Sequence, residues 1–354
     1  MAGLAATASQ AYRANGIGTF DADENRKQSM GLISAALDST NAANSIISPE
    51  VEGLMANNTY GVEKQIIVLN RDNSPAGTTR SCTINGAESV SALYTLQKAT
   101  AVKDVTVYPS VYGQNDVSMI DDVTKKMRDA EYALAQLVED GIYTAMVANV
   151  NEDYNSSFVS GAAAIFPLSA GNFMQVDAVY QDFFFNHLPS IMMSDNRDYA
   201  RDIQVVASPE LMPFIAKYGN QGAANAINTE YQYRGFDFNY SNSFAVNQGE
   251  SASAIAFPLG QLGLLYQNTP DSVRNASAGD GSNWYTTVMP DNVLGTPVSV
   301  LEKSTCADAS TLGTAPVGLE ATERIDMQFS VDYYILTPYS SVATESPYYG
   351  FDYA

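Results

Sequence analysis

The pattern of hydrophobic and polar positions is most regular between Ser118 and Asn149, where apolar residues recur every three or four positions. This spacing predicts an α-helix with one apolar stripe, and Ser118 with Asp121 indicates its start. At about 1.5 Å per residue such a helix spans roughly 45 Å, so we expect other elements to pack along it. The predicted stripe consists of Ile120, Val123, Met127, Ala130, Leu134, Leu137, Gly141 and Ala145.

Residues 1–60, ahead of this helix, contain little sequence that favours a core of their own. A small-residue start leads into a short amphipathic stretch, which predicts a helix over 24–37, and then into polar chain. We therefore interpret residues 1–60 as an arm that lies on other elements or on another subunit.

Residues 61–113 are predicted to be rich in strands. β-Branched and apolar runs predict strands over 62–69, 90–96 and 102–112, and turn residues separate the first two. Pro109 places the last strand at a sheet edge, because proline cannot donate to a central ladder. A long two-stranded ribbon is not stable alone, so we expect it to fold back or to rest on a neighbour.

The chain beyond the long helix predicts short helices and strands. Apolar spacing over 174–188 indicates a helix with Val179 and Phe183 on one face, and Pro189 is predicted to end it. Residues 252–266 are predicted to form a strand that runs into a short helix.

Two further segments give clearer predictions. Residues 203–207 predict a strand, followed by a helix with Ser208 as its N-cap and Pro209 at its first position. Residues 323–338 alternate over their whole length and predict one long strand. Its predicted apolar face consists of Ile325, Met327, Phe329, Val331, Tyr333 and Ile335.

The charge of the chain limits its partners. Its 18 lysine and arginine residues stand against 39 aspartate and glutamate residues, which gives a formal net charge of −21. Proteins that bind nucleic acid neutralise phosphates with clustered basic residues, and the densest basic run here, KKMR at 125–128, is flanked by acids. We therefore expect no direct binding of nucleic acid, although the charge leaves open an acidic surface that faces DNA without binding it.

The apolar runs and cysteines indicate neither a membrane nor a disulfide framework. No stretch approaches the roughly 20 apolar residues of a spanning helix, and the first residues lack the regions of a secretory signal. Cys82 and Cys306 lie far apart, which favours unpaired thiols in a reducing compartment. The chain has 22 tyrosines and one tryptophan, a composition that suits large contact surfaces.

Candidate catalytic and metal-binding chemistry is sparse. His187 is the only histidine, and it lies in FFFNHLP without a nucleophile elbow, so we interpret it as a packed or surface residue. One histidine and two distant cysteines do not give the spacing of a zinc site, and no cofactor or metal is expected. The 39 acidic residues leave open a pair of carboxylates of the kind that glycosidases use, so an acidic hydrolase is one alternative.

Taken in order, these elements resemble the major capsid protein of tailed bacteriophages, which has the Hong Kong ninety-seven type fold. The stretches most similar to that family are IQVVASPELM at 203–212, AIAFPLGQLGLLY at 254–266 and ERIDMQFSVDYYILTP at 323–338. The resemblance rests on the order of the elements and covers nearly the whole chain.

The resemblance implies an α+β phage capsid fold in five parts. These are an N-terminal arm (1–60), an extended β-hairpin loop (61–113), a peripheral domain with the spine helix and a β-sheet (114–164), an axial α/β domain (165–315), and a returning peripheral strand with the C-terminal tail (316–354).

The same resemblance implies contacts between subunits, with the extended loop lying over an adjacent copy. Arg71 and Arg80 lie at the predicted loop tip, where rare cations meet the many acids of a neighbour. Tyr112 and Tyr348 complete the set of candidate interface residues.

By this resemblance the chain is a structural subunit and not an enzyme. It is expected to self-assemble into hexamers and pentamers of an icosahedral virion capsid around double-stranded DNA, in the host cytoplasm. Its expected partners are copies of itself and scaffolding, portal and cement proteins, with packaged DNA nearby and no membrane. An encapsulin-type compartment shell is an alternative within the same fold.

Overall fold

The computed structural model of the chain describes residues 30–43, 45–47, 51, 63–69, 91–109, 116–161, 164–169, 171–195, 202–216, 232–233, 236–267, 283–289, 294–308, 321–338 and 346–354. Its principal α-helices are α1 (Gly31–Thr40), α2 (Asp116–Val147) and α3 (Phe184–Ser194). Its strands are β1 (Glu63–Leu69), β2 (Ser91–Gln97), β3 (Ala99–Val107), β4 (Met174–Val176), β5 (Ile203–Ala207), β6 (Gln232–Tyr233), β7 (Phe236–Tyr240), β8 (Ala252–Pro258), β9 (Gly263–Gln267), β10 (Asn283–Met289), β11 (Val298–Asp308), β12 (Ala321–Leu336) and β13 (Tyr349–Tyr353). Helices therefore pack on mostly antiparallel sheets, which confirms the predicted α+β class.

The first sheet has the strand order β10-β11-β12-β3, and β9 pairs with the far end of β12. All of these pairings are antiparallel. β12 confirms the predicted long strand, since five of the six predicted apolar positions, from Ile325 to Tyr333, are buried. β3 ends at Val107, two residues before Pro109, and is last in the order of described strands, so the predicted edge position is confirmed.

α2 packs its buried face along this first sheet. The helix begins at Asp116, two residues earlier than predicted. Its buried stripe follows the prediction from Val123 to Leu134 and then shifts by one residue, so that Val138 is fully buried while Leu137 is 47% exposed. The shift arises because the second half of α2 is covered by α1 and by the segment after β7 as well as by the sheet.

The second sheet has the order β4-β13-β8-β5-β7-β6. One of its faces packs on α3, and the other shares a core with α1 and α2. Because both faces are covered, every residue of β5, β8 and β13 is buried. β13, which the C-terminal residues form, runs parallel to β4 and antiparallel to β8. The last strand of the chain therefore belongs to the second sheet, whereas β12 belongs to the first.

The segment predicted as one helix over 174–188 is a short strand followed by a helix. Residues 174–176 form β4, and α3 begins at Phe184 and runs past Pro189 to Ser194. The proline removes one backbone hydrogen bond from the helix interior. Burial of the surrounding apolar face outweighs that loss, because Phe184, Phe185, Leu188, Ile191 and Met192 all pack in the core of the second sheet.

Residues 252–266, predicted to run from strand into helix, contribute to strands of two different sheets. β8 lies inside the second sheet, and β9 pairs with β12 in the first. The chain turns between them at Gly260, whose φ of 91° lies in the region that glycine tolerates best. The prediction of a helix was wrong because pairing with β12 decides the conformation of this short apolar run.

The predicted strand at 203–207 is confirmed as β5. Ser208 does not cap a helix with its side chain; its hydroxyl instead accepts a hydrogen bond from the backbone N–H of Ser253 on β8, at 3.3 Å. Pro209 begins a short 3₁₀ helix, and residues 212–216 continue it as α-helix.

α1 lies where α2 and the two sheets meet. Its buried residues join the core that α2 and the first sheet share. Ser39 holds the C-terminal end of α1, since its hydroxyl accepts hydrogen bonds from the backbone N–H groups of Gly260 at 2.8 Å and Leu262 at 3.0 Å. Residues 24–29 of the helix predicted over 24–37 lie outside the described residues. In the predicted arm, α1 therefore packs on other elements of the same chain.

Candidate assembly surfaces

The four predicted interface residues have different positions relative to the described residues. Arg71, Arg80 and Tyr112 lie outside them. Tyr348 is described, and its side chain is fully buried.

Tyr348 serves the interior of the fold. Its hydroxyl donates to the carbonyl oxygen of Gln261 at 2.8 Å, and its ring lies edge-on to Phe257 with 5.6 Å between centroids. Its carbonyl oxygen accepts a hydrogen bond from the N–H of Asn151 at 2.8 Å. A side chain without exposed surface is not available to a neighbouring copy, so the structure corrects the interface prediction for this residue.

The strands β1 and β2, hereafter the ribbon, form a two-stranded antiparallel sheet from Glu63 opposite Gln97 to Leu69 opposite Ser91. Only Lys98 separates β2 from β3, so the ribbon continues directly from the edge strand of the first sheet. Near its base Leu96 is buried in a small cluster that includes Tyr334 of β12.

Polar contacts of Asp332 anchor the base of the ribbon to β12. One carboxylate oxygen pairs with the Nζ of Lys98 at 3.1 Å, and the other accepts a hydrogen bond from the hydroxyl of Thr100 at 2.7 Å. The Lys98 and Asp332 side chains are only 17% and 19% exposed, so solvent and salt screen this pair less than a fully exposed pair.

An exposed apolar surface precedes α3. Val179 is 76% exposed, Tyr180 is 37% exposed and Phe183 is 57% exposed; we call these three residues the apolar ridge. The backbone N–H of Tyr180 donates to the carbonyl oxygen of Asp177 at 2.8 Å, which closes a turn directly after β4. A single 3₁₀ turn then leads into α3, where the following two phenylalanines are buried. Exposed apolar clusters of this kind mark interaction sites.

The helix predicted over 174–188 has Val179 and Phe183 on one face, whereas the structure exposes both side chains. The prediction failed because residues 174–176 form a strand, so the helical spacing does not begin until Phe184. Asp177, a residue that favours turns, was the one local signal for a break in this segment.

The face of the first sheet that points away from α2 is polar. Asp326 accepts hydrogen bonds from the Thr106 hydroxyl at 2.6 Å and from Nε of Arg324 at 2.9 Å. The amide of Gln328 donates to Asp104 at 3.0 Å. These side chains line a shallow depression of about 290 Å³, which is partly open to solvent. The face presents charged groups that are already paired with one another.

Charge is unevenly distributed between the two sheets. The lysines and arginines of the described residues all lie on β1, β3, α2, β11 or β12, or at Lys98. The described residues of the second sheet, of α3 and of their connections carry none. They do carry acids, which include Asp177, Asp182, Asp195, Asp202, Glu210, Asp237, Glu250 and Asp352. The side of the molecule that bears the apolar ridge is therefore strongly acidic in its described part.

His187 on α3 and Asp352 on β13 of the second sheet are both packed against neighbouring side chains. The ring of His187 contacts those of Phe158 and Phe166, at centroid distances of 4.9 and 5.8 Å. Asp352 has no exposed surface, and burial raises the pKa of its carboxyl against the hydrogen bonds that it accepts from Ser253, Asn247 and Ser169. His187 therefore packs against aromatic rings, and Asp352 is buried in hydrogen-bonded surroundings.

The described residues contain no cluster of three or more histidine, cysteine, aspartate or glutamate side chains arranged to hold a metal ion. Of the helices in the same residues, none combines the length and the hydropathy that crossing a bilayer requires.

No family model matches the chain, and no curated protein matches its sequence. Among solved structures it is similar to one from Mycobacterium phage Che8, with a TM-score of 0.48 and 12% identity over 96% of this chain and 97% of that one. It is also similar to the capsid structure of Cyanophage P-SCSP1u (TM-score 0.44, 10% identity, 84% of each chain) and to the capsid of Ralstonia phage GP4 (TM-score 0.42, 11% identity, 83% of each chain).

Proposed function

We propose that this chain is a structural subunit that self-assembles into the hexamers and pentamers of an icosahedral capsid of a tailed bacteriophage, around double-stranded DNA. The ribbon is the observation that carries this proposal. Among the described strands, β1 and β2 pair only with each other. A two-stranded ribbon is marginal by itself, and an extension of this kind gains stability from contact with another copy.

The order and packing of the other elements support the same proposal. The capsid resemblance predicts a long helix that packs along a sheet and a late strand that returns to that sheet. α2 has 32 residues and packs along the first sheet. β12 returns from far along the chain and pairs with β3, at the base of the ribbon.

The exposed surfaces are consistent with a subunit that buries area in an assembly. The apolar ridge offers side chains that lose contact with water on association. The net charge of −21 suits a wall that neighbours DNA without binding it tightly. The proposed location is the virion capsid, and scaffolding, portal and cement proteins are further proposed partners.

Deletion of residues 70–80 tests the role of the ribbon. This segment lies between β1 and β2, and residues 81–90 remain to connect Leu69 with Ser91, which are paired in the register. We expect a soluble, folded subunit that no longer closes shells, because the part of the extension that reaches a neighbour is missing. Circular dichroism and thermal unfolding serve as the folding control, and normal particles from the deletion variant would refute the proposed role.

A further inference from the structure

A fully buried carboxylate joins three parts of the fold. Glu139 lies on α2 and has no exposed surface. Its Oε1 accepts a hydrogen bond from the backbone N–H of Ile33 at 2.6 Å, and the backbone N–H of Leu32 also donates to the carboxylate. Its Oε2 accepts a hydrogen bond from the hydroxyl of Ser241, which is fully buried too. α2, α1 and the residue that follows β7 therefore meet at one side chain.

These hydrogen bonds supply the cap that α1 lacks. The side chain of Met30, at the N-cap position, makes no capping hydrogen bond, and the first turn of α1 has no acidic residue. The N–H groups of a first helical turn have no partner within the helix, and they destabilise a buried helix end unless something accepts from them. Glu139, 106 positions after Ile33, is that acceptor.

The start of α1 also lies close against the backbone at the end of β7. A Cβ atom added to Gly31 would lie 2.3 Å from the carbonyl oxygen of Tyr240, so the first residue of α1 touches the backbone at the end of β7. Met30 also forms an isolated antiparallel bridge with Ser241. The start of α1 is therefore docked on the second sheet through backbone as well as through Glu139.

The surroundings of Glu139 do not offset a negative charge. Among the described residues no cation pairs with it, and the nearest cation along α2, Arg128, is 11 positions away, or roughly 16 Å along the axis. Of the neighbouring titratable groups, Asp140 alone acts on its carboxyl, and it repels a negative charge. The titratable groups on the elements packed around it are Asp140 and Tyr143 on α2, Asp38 on α1, Asp237 and Tyr240 on β7, and Tyr333 on β12.

Burial is the main cause of the raised pKa of the Glu139 carboxyl. It raises the pKa of Glu139 to about 7 from the ordinary value of 4.5, and Asp140 adds to the rise. The hydrogen bonds from Ser241, Ile33 and Leu32 favour the ionised form and lower the pKa, but they do not cancel the effect of burial.

We propose that Glu139 is a proton-dependent latch, which holds α1 firmly to α2 and the second sheet when its carboxyl is protonated and more loosely when it is ionised. A protonated carboxyl still accepts from the N–H of Ile33 with its carbonyl oxygen and donates its own proton to the hydroxyl oxygen of Ser241. An ionised carboxyl keeps its donors but remains a buried charge with no partner cation among the residues that the structure describes. The latch is a property of the folded chain and does not depend on the function proposed above.

The direction of the pH effect follows from the two pKa values. With α1 docked, the carboxyl holds its proton up to about pH 7; with α1 released and Glu139 in water, it loses the proton above 4.5. Between these values the docked state binds more protons, so docking weakens as the pH rises and levels off above 7. The full difference is on the order of 300-fold in the docking equilibrium.

Hydrogen exchange of the full-length chain measures this equilibrium directly. Backbone exchange of peptides covering residues 31–40 would be followed from pH 5 to 8.5, with each rate corrected for the intrinsic effect of pH. We expect protection in the unmodified chain to fall on the order of 10²-fold from pH 5 upward and to level off above about pH 7. In Glu139→Gln the protection should not depend on pH, and in Glu210→Gln, which alters an exposed acid, it should follow the unmodified chain.

A second variant keeps the test decisive if Glu139→Gln does not fold. Ser241→Ala removes the side-chain hydrogen bond that opposes burial most strongly, so protection should continue to fall to a higher pH than in the unmodified chain. A flat profile in the unmodified chain, a slope that persists in Glu139→Gln, or an unchanged profile in Ser241→Ala would each overturn the proposal.

Discussion

Leu134 and Leu137 lie one turn apart on α2 and have opposite surroundings. Leu134 is fully buried, and Leu137 is 47% exposed. Both are leucines in the middle of a helix, so their intrinsic helix propensities are the same. Any difference in the effect of removing them must come from packing, which makes them a matched pair.

We expect Leu134→Ala to lower the free energy of unfolding by about 2–5 kcal/mol, because it removes a buried side chain and leaves a cavity. Leu137→Ala should cost less than about 1 kcal/mol. Leu134→Asp, which places a charge in the same core, should prevent folding. Denaturant unfolding followed by circular dichroism measures all three variants, and equal losses in the two alanine variants would contradict the observed orientation of α2.

At the scale of elements, α1 depends on one close backbone contact. We expect Gly31→Ala to destabilise the chain by about 1–3 kcal/mol, because its new methyl group would lie 2.3 Å from the carbonyl oxygen of Tyr240 and the backbone must shift. Gly171→Ala is the control, since its nearest neighbour beyond the adjoining residues is Phe173 at an ordinary 3.7 Å. Thermal unfolding compares the two, and an unaffected Gly31→Ala variant would mean that α1 is not docked here.

Long regular elements were predictable from the sequence, and short ones were not. α2 and β12 show their period over many residues, so their bounds agree with prediction to within about two residues. β9 and β4 are apolar runs of five and three residues, too short to show a period, and the strands beside them decide their conformation. The aromatic tail gave no sign that it would form β13 inside the second sheet, because its partners β4 and β8 are distant in sequence.

The candidate surfaces were less predictable than the elements. The exposure of Val179 and Phe183 depends on where β4 ends and α3 begins, and the burial of Tyr348 depends on Phe257 and Gln261, about 90 positions away. Glu139 was not recognised at all, because an acid at that position in a helical pattern also fits a solvated face. Its role requires the position of α1, which the sequence pattern placed several residues too early.

At the scale of the whole molecule, the apolar ridge is the described surface whose alteration should separate folding from association. We expect the double variant Val179→Asp/Phe183→Asp to unfold at nearly the same temperature as the unmodified chain, because both side chains are mostly exposed. Its association should weaken, because two charges replace apolar contact area. Asp182→Asn, an exposed change in the same turn, is the control in sedimentation velocity, and unchanged association of the double variant would exclude the ridge as a contact between copies.

The proposed function requires that copies of this chain build a closed shell. Negative-stain electron microscopy of the full chain, purified alone and concentrated, tests it most directly. We expect closed particles of uniform diameter or rings of five and six subunits. A homogeneous monomer at every concentration would contradict the proposal that this chain self-assembles without other proteins.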